Sequence, residues 1–368
     1  MKKTVLIFSI IIFISSNMLA QNTSLKIAVI GLTHTHVHWI FGSQERGDFE
    51  IVGIVEPNKA LAKRYTDQYN FPTDKVFDSM KSLFANTEVE AVTAFGTIYE
   101  HLEIVETCAP KGIHIMVEKP LAVNAKHAKK MKKLAMQHNI HLLTNYETTW
   151  YPTNHKAYDL AINENAIGAI RKVIVRDGHK GPKKIGVDPE FLEWLTDPVQ
   201  NGGGAITDFG CYGANLMTWL MNGKKPNSVT AITQQLQAEN NPKVDDEAII
   251  LLQYDKAVAL IQPSWNWPIG RKDMEIYGLN GVIYSDNRND LSVRISEGYD
   301  GFDEEVMELE ERDAPYDDPF SFFAAVVNNK IQLPPTDLSA LENNMIVVEI
   351  LDAASKSAKT GKTIKLNK

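Results

Sequence analysis

The stretch Leu25-Lys26-Ile27-Ala28-Val29-Ile30-Gly31 decides how this chain is read. It is a run of apolar, mostly β-branched residues closed by a glycine, the pattern of a strand buried on both faces that ends in a tight turn. A helical pattern follows over Val37 to Gln44, and a second strand, Glu50 to Val55, ends at Glu56. Strand, turn, helix, strand and acid is the layout of a dinucleotide-binding unit, with the acid placed to meet an adenosine ribose. A carboxylate there repels a ribose phosphate, which favours NAD over NADP.

The turn departs from the usual glycine pattern. G-x-G-x-x-G asks for glycine at 31, 33 and 36, and the chain has Gly31, Thr33 and His36. His34, His36 and His38 crowd the same turn. A metal cluster is set aside, because at a helix start these side chains diverge and no acidic ligand accompanies them. One imidazole facing the cleft, with the others packed or wet, is the expectation.

The alternation continues through helices at Ala60–Tyr69 and Asp78–Phe84 and a strand at Ala91–Phe95 that ends at Gly96-Thr97. Then come a helix from about His101 to Ala109, a strand at Ile113–Val117, a lysine-studded helix at Ala125–His138 and a strand at His141–Thr144. This reads as a doubly wound parallel α/β sheet over residues 24–146. Immediately after the Ile113–Val117 strand stands Glu118-Lys119-Pro120, at the carboxyl edge where open α/β sheets place ligands. Lys119 can act there as a cationic donor or, when desolvated, as a proton carrier. The Lys-Pro bond could be cis.

Residues 147–368 follow a different rhythm. After a helix near Asn154–Asn163, β-type runs at 172–177, 228–236, 248–254, 257–263, 272–277 and 282–285 predict an α+β domain with an open, largely antiparallel sheet. Residues 297–314 read as a loop or edge segment, and helices at 319–329 and 341–358 close the chain. Between the halves, Gly202-Gly203-Gly204 precedes a helix on which Asp208, Tyr212 and Asn215 share one face. Polar residues on a helix leading into Leu216-Met217-Thr218-Trp219-Leu220 need either mutual hydrogen bonds or a cleft to face.

The chain has 368 residues, 44% hydrophobic and 23% charged, with a net charge of −8. That fits two globular domains and argues against nucleic acid as a partner. Lys2-Lys3, the apolar run Val5–Ile14 and the polar approach to Ala20 read as a signal peptide over residues 1–20, too short for a membrane span. The expectation is an exported, periplasmic protein without stable membrane insertion after cleavage. Cys108 and Cys211 are read as buried free thiols.

Glu118-Lys119-Pro120 together with the Gly202–Asn215 segment resembles the Gfo/Idh/MocA family of NAD(P)-dependent sugar and polyol oxidoreductases. Glu275-Ile276-Tyr277-Gly278-Leu279-Asn280-Gly281 and Ser357-Ala358-Lys359-Thr360-Gly361-Lys362 extend the resemblance toward the C-terminus. It implies a Rossmann domain joined to an α/β domain whose sheet forms a homo-oligomer interface. It also implies catalysis by Lys119, Asp208 and Tyr212, with Lys119 and Tyr212 converging on the reacting hydroxyl. Tyr212, its pKa lowered by the ammonium, is expected to carry the proton, with Lys119 as the alternative carrier and Asp208 as orienter. NAD would be held by Gly31, Thr33, His34, His36, Glu56, Gly96, Thr97, His101, Glu118 and Lys119. A carbohydrate would meet Lys119, Trp150, His179, Asp208, Tyr212, Asn215 and Trp265. Because free NAD is scarce outside the cytoplasm, a tightly bound cofactor is expected. Two other readings stay open: an NAD-assisted glycosidase or lyase, and a cofactor-free sugar-binding protein.

Overall fold

A computed structural model describes residues 24–366, so the signal segment read at residues 1–20 lies outside the described residues. Strand β1, Leu25–Ile30, is buried along almost its whole length. After it come α1 (Val37–Ser43), β2 (Phe49–Val55), α2 (Lys59–Tyr69), β3 (Val76–Phe77), α3 (Met80–Asn86) and β4 (Ala91–Ala94). Helix α4 (His101–Cys108), β5 (His114–Glu118), α5 (Ala125–Gln137) and β6 (Leu142–Asn145) complete the first sheet. Its six strands are parallel in the order β3-β2-β1-β4-β5-β6.

Strand order reverses at β1, so the crevice beyond the carboxyl ends of β1 and β4 is the switch point at which such sheets bind ligands. Gly31 sits there with φ +79°, and a Cβ on it would stand 2.8 Å from the Gly96 amide nitrogen. Only glycine closes that contact.

The second unit begins with α6 (Pro152–Tyr158) and β7 (Lys172–Gly178), followed by the short helices α7 (Pro182–Ile185), α8 (Pro189–Leu195) and α9 (Ala205–Asp208) and the longer α10 (Gly210–Leu220). Seven strands come next: β8 (Ser228–Gln234), β9 (Glu247–Gln253), β10 (Val258–Ser264), β11 (Arg271–Tyr277), β12 (Gly281–Ser285), β13 (Asp290–Glu297) and β14 (Gly301–Glu308). Helices α11 (Pro319–Val327) and α12 (Leu341–Thr360) and strand β15 (Ile364–Lys365) end the chain. The nine-stranded sheet runs β14-β13-β12-β11-β7-β10-β9-β8-β15, antiparallel except between β7 and β10. Helices α10 and α12 pack together against one face of it.

The acidic segment read as loop or edge supplies β14, an edge strand exposed over nearly its whole length. With neither face buried it carries no period-two hydrophobic signal, which is why its strand character escaped the pattern. The closing helices also reach back to the first sheet. Phe320 and Phe323 of α11 join a core with Ile27, Ile51 and Phe95, and Leu341, Met345 and Val348 of α12 join another with Val117 and Leu142.

Candidate active site

Strand β5 delivers Glu118 to the crevice, and the bond that follows, Lys119–Pro120, is cis. The buried Lys119 ammonium donates to the Asp208 carbonyl oxygen at 3.0 Å and forms a short ion pair with Asp208 Oδ1. The other carboxylate oxygen, Oδ2, accepts the Trp265 indole N–H at 2.9 Å. Burial works to lower the pKa of Lys119, but the Asp208 carboxylate overrides it and holds the ammonium above its ordinary value. Burial likewise works to raise Asp208, and Lys119 keeps it below the usual carboxylate value.

One helical turn beyond Asp208, the Tyr212 ring lies between two ammonium groups, 5.1 Å from Lys119 Nζ and 5.2 Å from Lys272 Nζ. Its hydroxyl has no hydrogen-bond partner among the described residues. The early and late halves of the chain therefore do bring Lys119 and Tyr212 together. The expected lowering of the phenol does not follow. Burial raises Tyr212 well above its ordinary value, and the Glu147, Asp208 and Glu118 carboxylates push the same way. Desolvation outweighs the ammonium groups, so Tyr212 is a neutral phenol.

Lys272 forms an ion pair with Glu147, which also accepts the Tyr151 hydroxyl at 2.5 Å. Burial alone would raise Glu147, yet Lys272 pulls it down to about 2. Lys119, Asp208 and Tyr212 form a buried floor, while the Glu147 and Lys272 side chains stay 27% and 21% exposed and His36 16%. The Glu147–Lys272 rim is thus the more exposed side of the cluster. His179 stands half-buried beside it, edge-on to Phe209 at 5.1 Å, with Nδ1 accepting the Gly181 N–H at 3.0 Å.

The dinucleotide side is built around a cavity of about 400 Å³ lined by Gly31, Thr33, Glu56, Gly96, Thr97 and Glu100. Glu56 is buried, and its carboxylate accepts the Leu32 N–H at 3.1 Å and the Asn58 N–H at 2.9 Å. Each of those oxygens keeps a second lone pair for a ribose hydroxyl. A cavity of this size with a carboxylate at the end of β2 fits the adenosine half of NAD.

The two missing glycines have local explanations. Thr33 Oγ1 accepts the Trp194 indole N–H at 3.1 Å, so α8 of the second unit rests on the loop. His36 stacks on Trp39 at 3.8 Å and meets Glu118 Oε2 at 2.9 Å. His34 is buried against Phe191 and Trp194, with Nε2 4.0 Å from Glu118 Oε2. The acid that the sequence reading did not find beside these histidines is thus Glu118, and ligand atoms of the three residues lie within 4.8 Å of one another. The His36 backbone N–H donates to His34 Nδ1 at 3.1 Å, so the neutral ring carries its proton on Nε2. A ligating histidine does the reverse, donating from its second nitrogen. The geometry is that of a hydrogen-bonded cluster, in which Glu118 also accepts from Asn145 at 2.8 Å. The third imidazole, His38, turns away to the Tyr69 hydroxyl at 2.5 Å.

Four expected site residues have other tasks. His101 is fully buried, with Nδ1 against the Leu121 carbonyl at 3.1 Å, so it fastens α4 to the turn after β5 instead of lining the cofactor cavity. Trp150 is core, donating to Asn145 at 2.9 Å and meeting Phe322 edge-on. Asn215 is fully buried and ties α10 to the Leu338 carbonyl at 2.8 Å. Trp265 is fully buried as well, so it braces Asp208 and offers no stacking face to a sugar.

Glu147, Lys272 and Asp177 went unnoticed in the sequence. For two of them a signal exists. Strand parity puts Asp177 in phase with the buried Val173 and Val175, and Lys272 in phase with the buried Met274 and Ile276. A charge at an inward position of a strand is the mark to look for.

Residues 25–146 match the family profile described as "Oxidoreductase family, NAD-binding Rossmann fold", and residues 156–284 match the GFO/IDH/MocA C-terminal domain. The trans-1,2-dihydrobenzene-1,2-diol dehydrogenase of Xenopus tropicalis is 27% identical over 239 residues, 64% of this chain and 67% of that protein. An aldose-aldose oxidoreductase from Caulobacter crescentus, solved with glycerol, superimposes with a TM-score of 0.77 at 20% identity, covering 93% of this chain and 100% of that one. An inositol dehydrogenase homologue from Azotobacter vinelandii, complexed with NAD+, gives 0.79 at 17% identity, covering 94% and 98%. With both domain profiles matched in order and the fold shared, this chain belongs to the GFO/IDH/MocA family of NAD-binding oxidoreductases.

Proposed function

We propose that this protein oxidises a secondary or anomeric hydroxyl of a sugar, sugar derivative or polyol, using a tightly held NAD. The observation that carries the reading is the meeting of Lys119, Asp208 and Tyr212 on a buried floor beneath the Glu147–Lys272 rim. Relatives named for a dihydrodiol, an aldose and inositol support a polyhydroxylated substrate. NAD, when bound beside Glu56 and Gly31, would supply the hydride acceptor.

The chain's own groups handle the proton. Lys119 and Asp208 form a pair in which ammonium and carboxylate are in direct contact. In its amine form the Lys119 nitrogen takes the proton leaving the substrate hydroxyl and becomes the ammonium that the Asp208 carboxylate stabilises. Tyr212, neutral and with its hydroxyl unspent, donates a hydrogen bond to the same oxygen. Burial excludes water from this exchange. Trp265 holds Asp208 toward the lysine.

Three further parts of the reading rest on sequence and surface. The Lys2-Lys3 and Val5–Ile14 pattern supports export. Trp194 resting on Thr33 supports slow release of the dinucleotide, which an exported enzyme requires. Ile232, Leu251 and Val258, exposed on the outer face of the large sheet, support a homo-oligomer formed through that face.

The test is mass spectrometry of small molecules released by denaturing gently purified protein, followed by assays on a panel of sugars and polyols. Recovery of NAD(H) and formation of a keto product are expected. No recovered dinucleotide and no rescue by added NAD would overturn the reading in favour of a cofactor-free sugar-binding protein. A net reaction on a glycoside without keto product would favour the glycosidase or lyase.

A further inference from the structure

The segment 187–201, which carries α8, belongs to the second unit but is fastened to three separate elements of the first. On the loop after β1, Thr33 Oγ1 accepts the Trp194 indole N–H at 3.1 Å, and the Phe191 and Trp194 rings lie 4.7 and 5.8 Å from that of His34. On α2, Arg64 forms an ion pair with Glu190 and reaches Asp188 at 3.5 Å. In the turn before α4, the Tyr99 N–H donates to the Gln200 carbonyl oxygen at 3.0 Å. These attachments border the cofactor cavity: Thr33 lines it, and Tyr99 falls in sequence between Thr97 and Glu100, which line it as well. Burial raises the Glu56 carboxyl above its ordinary value and Glu190 adds to that push, so α8 also stands near the acid at the end of β2.

We propose that residues 187–201 are a latch that closes the dinucleotide crevice from the side of the second unit, so that NAD enters and leaves only when α8 releases the loop after β1. The inference rests on the tightly held NAD of the reading above and gives that retention a physical cause. Phe191, Trp194 and Leu195 root the latch in the core of the second unit, so one side of it is fixed while the other grips the first unit. Most of the grip lies in Trp194 and Phe191, which are 5% and 8% exposed, because release returns apolar rings to water. Arg64 contributes less, since its side chain and that of Asp188 are each 44% exposed and exposed ion pairs are weak. The departure from the glycine pattern gains a purpose here. Thr33 supplies the acceptor for the indole N–H, which a glycine at that position would leave unpaired.

The test follows NADH binding to wild type, Trp194→Phe and Arg64→Gln by stopped-flow fluorescence, with dissociation read by chasing the loaded protein with excess NAD+. A latch that must open for entry and for exit slows both. Trp194→Phe should therefore raise the association and dissociation rates together, each roughly tenfold for the loss of one hydrogen bond, while Kd stays within about twofold. Arg64→Gln should raise both rates only about twofold to threefold. Amide hydrogen exchange over residues 187–201 should quicken in Trp194→Phe while β1 and β7 keep their protection, which separates a loosened latch from a damaged fold. A faster dissociation alone, with Kd rising in step, makes Trp194 an ordinary cofactor contact and overturns the latch. Unchanged rates, or unchanged exchange over the segment, overturn it as well. Each of these results leaves the oxidoreductase reading standing. Coupled rates in a protein that oxidises none of the sugars and polyols do the reverse. Failure of wild type to bind NADH overturns both.

Discussion

Trp265 donates its indole N–H to Asp208 Oδ2 at 2.9 Å while Lys119 holds the opposite oxygen of the same carboxylate. The tryptophan bond lowers the pKa of Asp208, so Trp265→Phe should raise it. The acid limb of the kcat profile is then expected to move to higher pH, with kcat falling about tenfold and the affinity for NAD unchanged. A hydrogen bond to a charged group is worth about 1.5 kcal/mol at the low end, which sets that scale. An acid limb that stays in place would remove Trp265 from the proton path.

Lys119→Met should reduce kcat by at least about a thousandfold, because it removes both proton carrier and donor. NAD should still co-purify, since the cavity around Glu56 is untouched. Asp208→Asn strands a buried ammonium and should cost about 3–5 kcal/mol of stability, measured by urea unfolding. Loss of less than about 1 kcal/mol would mean that the pair is solvated in solution.

Tyr212→Phe discriminates between two proton routes. Were the phenol the base, its loss would abolish turnover and remove an alkaline limb from the pH profile. A phenol held neutral by burial gives up one donated bond, so kcat should drop about tenfold with the profile unmoved. Stability should change by less than about 0.5 kcal/mol, since the hydroxyl has no partner to lose.

Acid should weaken the fold in two stages. Burial pushes His101, His114, His155 and His179 down to about 4 from an ordinary 6.5. Between pH 6.5 and 4 the unfolded chain takes up protons that the folded chain refuses, so stability falls with pH. Glu118 and Glu147 are held down at about 2 from an ordinary 4.5, and their contribution, full above pH 4.5, is lost as pH falls toward 2. Asp177, raised well above its ordinary value by burial, works in the opposite sense. Thermal melts from pH 8 to 3 should show Tm declining below about pH 6.5. A flat Tm between pH 7 and 4 would contradict the buried neutral histidines.

Glu56 should set the choice of dinucleotide. Glu56→Ser removes the carboxylate that would face a ribose phosphate, so KM for NADP should fall roughly tenfold while KM for NAD rises. The folded-back bonds to Leu32 and Asn58 also disappear, so some loss of thermal stability is expected alongside.

Much of this was readable because it is local. The Leu25–Gly31 strand and turn, the acid at 56 and Lys119 at a strand end are each defined by neighbours a few residues away. The meeting of Lys119 with Asp208 followed from two motifs recognised together. What escaped depends on distance or environment. Trp265 was read as a sugar platform because its partner lies 57 residues away on another element. Tyr212 was read as an activated phenol because the neighbouring Lys119 ammonium is easier to anticipate than full burial. Glu147 sits in the one-turn helix after β6, where an acid looks like any solvated residue. Asp177 and Lys272 were legible through strand parity, but only once the strands were read residue by residue.

The last consequence comes from α11 and α12. Phe320, Phe323, Leu341, Met345 and Val348 complete cores that begin with β1. During synthesis the ribosome must therefore release nearly the whole polypeptide before the first sheet can be sealed. A nascent chain stalled after β6 should remain protease-sensitive and bind chaperones, where an independently folding nucleotide domain would already be resistant.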